Sequence, residues 1–273
     1  MYESDAALAQ YLWLHYGDAQ ARVPAPFRAA LGFPARCARL ASRSGADGAA
    51  PSSRAKTGME GGTPLPPLRA LDIGCAVGRS TFELARDCAE VIGIDFSARF
   101  IAAAQTLQRG ESIPYAIPDQ GDLTHALVAR APADVDRARV RFEVGDAMDL
   151  RADLGLFDVV LAANLICRLT EPRRFLDLLP ALVKTGGTLL LTTPSTWKQI
   201  YTPRENWIGG YAGANGPVHT LDGLKESLSP HFTLESRTDE PLLIPEHARK
   251  FEFILAEATR WRRRGSKQGA GRE

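Results

Sequence analysis

The sequence predicts a doubly wound α/β fold, a mostly parallel sheet with helices on both faces. Three observations carry it. From Leu68 onward, apolar strand-like runs alternate with helical ones. The first run, Arg69-Ala-Leu-Asp-Ile73, breaks into a glycine turn, Gly74-Cys-Ala-Val-Gly78, that opens a helix. The second, Val91-Ile-Gly-Ile-Asp95, ends on an acid. It lies about 20 residues beyond the turn, a spacing that suits the diol of a ribose.

The elements follow in order. Residues 5–16 read as an amphipathic helix, capped near Ser4 or Asp5 and stopped by Gly17. A second helical stretch around 27–41 is interrupted by Gly32 and Pro34. Residues 1–41 thus form an N-terminal helical cap. From 42 to 67 the composition shifts to Ser, Gly, Ala and Pro, which cannot offset its ordering entropy and predicts a flexible linker or insertion. Residues 68–264 form the cofactor domain, and 265–273 a disordered tail. Its strands fall at about 69–73, 90–95, 140–144, 157–162 and 187–193, with helices near 79–88, 97–107 and 172–183. Residues 108–139 read as a long excursion containing Pro and Asp. Beyond the fifth strand, 221–228 is a short helix and 232–237 a strand. Residues 250–261 read as a strand at their start, with strand and helix both open beyond it.

Composition bounds the function. The 273 residues carry a net charge of +1, giving no reason to expect nucleic acid or an anionic membrane as partner. No run of about 18 apolar residues or signal-peptide pattern occurs. The four cysteines (37, 75, 88 and 167) form no CxxC pair, so neither a zinc site nor a disulfide framework is indicated. A reducing, cytoplasmic setting and no metal are expected.

The glycine turn indicates which cofactor. A dinucleotide fingerprint wants glycines at the first, third and sixth places, here Gly74, Ala76 and Arg79. Arg79 would obstruct the close helix–strand packing that the third glycine allows. The remaining pattern, Asp72-x-Gly74-x-x-x-Gly78, resembles the first motif of class I S-adenosylmethionine (SAM) methyltransferases. The turn, with its N–H groups and helix start, is expected to face an anionic group. Asp72, Gly74, Cys75, Ala76, Gly78, Asp95 and Phe96 are the first cofactor candidates. Asp146, closing the third strand, reads alone as a turn or cap residue, but in company with Asp72, Gly74, Gly78 and Asp95 it suits an adenine amino group, with Ala147 and Met148 lining the ring. Asn164, ending the fourth strand, faces the place of the transferable methyl and is a candidate for cofactor, catalysis or helix capping.

Acceptor candidates lie nearer the ends of the chain. Trp197, Trp207 and Tyr211, in an aromatic and polar loop after the fifth strand, could wall a small ring or simply pack. In Ile244-Pro-Glu-His-Ala-Arg-Lys250, Arg249 suits a carboxylate, though a solvated charged loop explains the run equally well. His15 and His125 read as packing or surface residues.

Taken together, these stretches resemble one family over nearly the whole chain. Met1-Tyr-Glu-Ser-Asp5, Phe33-Pro-Ala-Arg-Cys37, the glycine turn, Ile94-Asp-Phe-Ser97 and Gly145-Asp-Ala-Met148 carry the likeness. So do Leu161-Ala-Ala-Asn-Leu-Ile166, Thr220-Leu-Asp-Gly-Leu224 and Glu246-His-Ala-Arg-Lys-Phe251. The family is the 4-mercaptohistidine (5-thiohistidine) N-methyltransferase of ovothiol biosynthesis, often the C-terminal domain of a larger ovothiol synthase. The resemblance implies a Rossmann-like, seven-stranded class I fold with a helical lid. It implies SAM as donor, S-adenosyl-L-homocysteine (SAH) as product, and the side-chain-proximal imidazole nitrogen of 5-thiohistidine as acceptor. Tyr2, Asn164 and His247 are then catalytic candidates. Tyr2, Asp5, Arg168, Trp197, Trp207, Tyr211, Glu246, His247, Arg249 and Lys250 are candidates for the acceptor, with Arg249 or Lys250 on its carboxylate or thiolate and Asp5 or Glu246 on its ammonium. The chain departs from the family at Cys167, where an acid is expected, and in the 42–67 insertion. Its five histidines lack the spacing of an iron site, so a stand-alone enzyme supplied by a separate sulfoxide synthase and a lyase is expected. A methyltransferase of another small molecule, or a SAM-binding partner protein without turnover, remains open.

Overall fold

A computed structural model describes residues 2–17, 23–42 and 67–265. The predicted linker and tail lie, but for a residue at their edges, outside the described residues. The central sheet has seven strands: β1 (Arg69–Ile73), β2 (Glu90–Asp95), β5 (Val140–Val144), β6 (Phe157–Ala163), β7 (Val183–Thr193), β10 (Phe232–His247) and β11 (Lys250–Arg263). Their spatial order is β10-β11-β7-β6-β1-β2-β5. The β1–β2, β2–β5, β1–β6 and β6–β7 pairs are parallel, while β11 runs antiparallel to β7 and to β10. The chain therefore reverses direction across the sheet between β1 and β6, and their carboxyl ends border the crevice where such sheets bind ligands.

Alternating strand residues feed two cores. Ala70 and Val91 join Phe82, Phe100 and Ile101 beneath α3 (Arg79–Leu84) and α4 (Ala98–Gln108). Leu71 and Ile92 join Phe175, Leu176 and Leu224 beneath α5 (Pro172–Leu178) and α6 (Thr220–Leu228). The N-terminal α1 (Asp5–Tyr16) and α2 (Phe33–Ser42) place Leu12, Tyr16, Phe33 and Cys37 in the first core. Ser4 caps α1, its hydroxyl accepting the Ala7 N–H at 3.1 Å.

Three expectations are corrected. The 108–139 excursion contains a hairpin of β3 (Ile113–Gln120) and β4 (Leu123–Ala129). Pro114 and Pro118 disguise it, but in a two-stranded ribbon each strand is an edge, where a missing N–H is tolerated. Second, β10 runs to His247, ten residues past the expected end, and Lys250–Arg263 is strand throughout. The partner of Thr193, at the end of β7, is Glu257. The β10–β11 ribbon thus projects seven residues farther, about 24 Å at the usual rise, past the sheet's carboxyl edge. Third, the 172–183 helix ends at Leu178 and closes with a 3₁₀ turn at Leu179–Ala181, after which β7 starts at Val183. Pro180 supplies no N–H to prolong the helix. A small hairpin of β8 (Tyr211–Gly213) and β9 (Gly216–Val218) completes the described elements.

Candidate active site

The site grows from the turn between β1 and α3. Gly74 and Gly78 have φ of 77° and 88°, the left-handed region where a side chain is disfavoured. At Gly78 a Cβ would stand 2.5 Å from Cζ of Phe142, so this glycine provides the tight packing that Arg79 would have blocked. Arg79 turns aside, donating to Glu83 Oε1 at 2.8 Å and to the His15 carbonyl at 3.1 Å.

The turn's N–H groups are largely committed to the protein. Those of Gly74 and Cys75 donate to the Ile94 carbonyl, and that of Gly78 to the Cys75 carbonyl. Ala76 N–H donates to Asp95 Oδ2 at 2.8 Å, and Arg79 N–H to His15 Nδ1 at 3.3 Å. The expectation that this turn presents its N–H groups to an anion is therefore not met at these five positions. The turn is shaped instead by Asp95, which also accepts Ser97 N–H at 2.9 Å through Oδ1. Burial pushes the Asp95 carboxyl above its ordinary value.

Asp72 lies beneath the turn, buried. Its Oδ2 accepts the hydroxyls of Ser80 and Thr81 at 2.6 and 2.7 Å, while Oδ1 is buried without a partner. Burial raises its pKa to about 6, the two hydroxyls holding it from going higher. The Cys75 side chain is buried in the first core. Across the crevice Phe96 is 77% exposed, unusual for a phenylalanine. Asp146 is exposed in a turn, its Oδ1 accepting Met148 N–H at 2.8 Å, and Ala147 and Met148 are buried behind it.

Asn164 adopts φ 53° at the end of β6. Its N–H donates to the Thr192 hydroxyl at 3.0 Å, and that hydroxyl donates to Asn164 Oδ1 at 2.9 Å, fixing the amide beside the crevice. The loop it begins runs against the glycine turn, since a Cβ on Gly74 would meet Leu165 at 3.1 Å.

Helix α1 roofs this region. Tyr16 donates to the Val77 carbonyl at 2.7 Å, which with His15 ties the helix end to the glycine turn. Burial and the neighbouring Arg79 charge keep His15 neutral, at a pKa of about 3. At the other end Tyr2 and Tyr11 meet edge to face at 5.8 Å, and Tyr11 lies 4.6 Å from Phe100. Burial raises the pKa of both tyrosines, and Asp95 and Arg168 both act on the Tyr11 hydroxyl. Arg168 stacks on Tyr201, 4.5 Å from its ring centroid.

The other acceptor candidates are deployed differently. Trp197 and Trp207 stack at 6.2 Å within the second core. Their ring N–H groups donate to the Thr220 hydroxyl and the Thr202 carbonyl, both at 2.9 Å. Tyr211 packs with Trp207 around Arg204. These rings shape the loop rather than wall an open pocket. Asp5 is exposed and pairs with Arg99. Glu246 and Lys250 pair with each other at 2.7 Å on the exposed ribbon tip, and His247 Nδ1 accepts Arg249 N–H at 3.3 Å. The tip meets α1 through Gln10, bonded to the Pro245 carbonyl at 3.2 Å, and through Trp13, 5.7 Å from Phe251. Sequence reasoning missed Tyr11 and Tyr201, whose hydroxyls join Tyr2 and Arg168. Their aromatic character was the signal, but their convergence depends on how α1 and the loop after β7 fold. Among the described residues no group of three metal-ligating side chains occurs.

Comparison with known proteins agrees with this geometry. Residues 71–191, somewhat under half of the chain, match the family model for a methyltransferase domain. A ubiquinone biosynthesis O-methyltransferase of Rhodopseudomonas palustris (strain BisA53) is 33% identical over 134 residues, 49% of this chain and 43% of that protein. An ajmaline N-methyltransferase of Rauvolfia serpentina is 24% identical over 46% of this chain and 35% of its own. The chain spans less than half the length of these curated relatives. Among solved structures, the N-methyltransferase NodS of Bradyrhizobium japonicum WM9, in complex with SAH, is 18% identical over 72% of this chain and 78% of that one, with a TM-score of 0.44.

The strand order, with one strand reversed beside β7, is that of the class I SAM-methyltransferase fold. The cofactor that the crevice fits is SAM. The residues suit such a ligand: Asp72 keeps a buried oxygen without a partner beneath the glycine turn, Asp95 ends β2, and Phe96 and Asp146 are exposed beyond β2 and β5.

Proposed function

We propose that the protein is a SAM-dependent N-methyltransferase whose acceptor is the side-chain-proximal imidazole nitrogen of 5-thiohistidine, the step that yields ovothiol A. The observation that carries this reading is the convergence of Tyr2, Tyr11, Asp95 and Arg168 beside the glycine turn, at the carboxyl edge of the sheet. Tyr2, just before α1, and Tyr11 within it meet edge to face, and Asp95 and Arg168 both act on the Tyr11 hydroxyl, an arrangement suited to a small polar acceptor. The likeness of the N-terminal pentad and the Glu246–Phe251 run to the thiohistidine family narrows the acceptor further.

Bound SAM supplies an activated methyl group whose leaving sulfide departs without acid help. The chain's own task is alignment and exclusion of water. A neutral imidazole nitrogen is already nucleophilic near pH 7, so no strong base is required. Selectivity is harder, because the neighbouring thiolate is the better nucleophile. Asn164, held by Thr192, lines the side on which the methyl is delivered, and the tyrosines fix the ring so that nitrogen faces it. Thiohistidine is supplied by a separate sulfoxide synthase and a lyase.

The test is a rate comparison across acceptors: 5-thiohistidine, histidine, a simple thioimidazole, a phenol and an amine. The proposal expects the highest kcat/KM for 5-thiohistidine. A higher value for any other acceptor overturns it, as does SAM binding without turnover of any of them.

A further inference from the structure

We propose that Arg168, with the hydroxyls of Tyr2, Tyr11 and Tyr201, is the subsite for a carboxylate on the acceptor, and so selects amino-acid-like substrates. The inference rests on the methyltransferase reading above and adds which end of the acceptor is held, and by what. It moves the carboxylate anchor from Arg249 and Lys250, on the exposed ribbon tip, to the turn that follows β6.

Arg168 lies on the short turn Ile166–Arg168 that follows Asn164, so it reaches the crevice from the strand nearest the cofactor turn. Its Nη1 is buried and makes no hydrogen bond. Among the described residues no carboxylate pairs with it, whereas Arg79, Arg99 and Arg151 each have an acidic partner. The groups acting on it are Cys167, Tyr2, Tyr201 and Tyr11. A guanidinium removed from water with an unmet N–H calls for an anion. Stacking on Tyr201 at 4.5 Å fixes its plane and leaves an edge for the two oxygens of a carboxylate. The Tyr2 hydroxyl, which interacts with both Arg168 and Tyr11, is placed to donate to the same oxygens. The same tyrosines also connect the subsite to Asp95, which acts on Tyr11. Tyr11 thus stands between Arg168 and Asp95.

The test compares 5-thiohistidine with its decarboxylated analogue, 5-thiohistamine, on the wild-type protein, Arg168→Gln and Arg168→Lys. Wild type should prefer the acid by about 100-fold in kcat/KM, mainly through KM. Arg168→Gln should lose that preference while 5-thiohistamine turnover and SAH affinity stay within about two-fold, and Arg168→Lys should restore part of it. A fall with both acceptors alike, or a loss of SAH binding, would mean a structural role and overturn the proposal.

If wild type methylates neither acceptor, the thiohistidine reading fails on its own. The subsite is then judged by calorimetry on the SAH-loaded protein with L-histidine and histamine. Histidine binding that is tighter than histamine binding and weakened in Arg168→Gln supports it. Equal or absent binding overturns it.

Discussion

At the scale of single residues, the site is organised by carboxylates held away from water. Asp95 accepts two backbone N–H groups, one from the glycine turn and one from the start of α4, so it shapes the crevice before any ligand arrives. Replacing it with Asn keeps the size and removes the charge. Asp95→Asn should weaken SAH binding by about 10–100-fold in calorimetry, the loss expected for a charged hydrogen-bond acceptor. These positions were legible in the sequence because a glycine turn and the acid after the next strand are local patterns. Tyr11 was not. As part of residues 5–16 it is one apolar position in a helical repeat, and only the docking of α1 turns it toward Asp95 and Arg168. Trp197 and Trp207 mislead for the opposite reason: aromatic density in a loop cannot distinguish a pocket wall from a stack with both ring N–H groups satisfied.

At the scale of elements, the junction of α1 with the glycine turn matters most. Tyr16 and His15 hold backbone groups on either side of Gly78, so the helical cap and the cofactor turn are one mechanical unit. Tyr16→Phe would leave the Val77 carbonyl buried without its donor, a loss of about 1–3 kcal/mol by urea denaturation, and should weaken SAH binding in step. Gly78→Ala combines a positive φ with a Cβ 2.5 Å from Phe142. About 2–4 kcal/mol of destabilisation is expected, partly recovered by Phe142→Leu. The parallel strands around this turn were readable because each is a short apolar run between helices. The β3–β4 hairpin and the second half of β10 were not. Pro114 and Pro118 imitate a loop, and Pro241 and Pro245 do the same in the second half of β10, beyond the 232–237 stretch that read as a strand.

At the scale of the whole molecule, two buried groups pull acid stability in opposite directions. His15 has its pKa lowered from 6.5 to about 3, so between those values the unfolded chain binds the extra proton and stability is lost as pH falls. Asp72 has its pKa raised from 3.8 to about 6, so the native state binds the proton and stability is lost as pH rises through that window. Between pH 3.8 and 6 the two oppose each other. Relative to wild type, Asp72→Asn should expose a stability that climbs with pH, at up to about 1.4 kcal/mol per unit, and His15→Gln the reverse slope. Urea midpoints taken across pH 4–6.5 read both; parallel profiles for the three proteins would contradict the assignment. The doubly wound architecture was legible from the alternation of elements, whereas the closure of the N-terminal helices over the crevice depends on contacts between distant residues and left no local trace.

The central claim is the position of the transferred methyl. Incubating the protein with SAM labelled with ¹³C at the methyl and with 5-thiohistidine, then recording a carbon–proton correlation spectrum, locates it directly. The account predicts a single methyl coupled through the side-chain-proximal ring nitrogen. A methyl found on sulfur, or on the distal nitrogen, would contradict it.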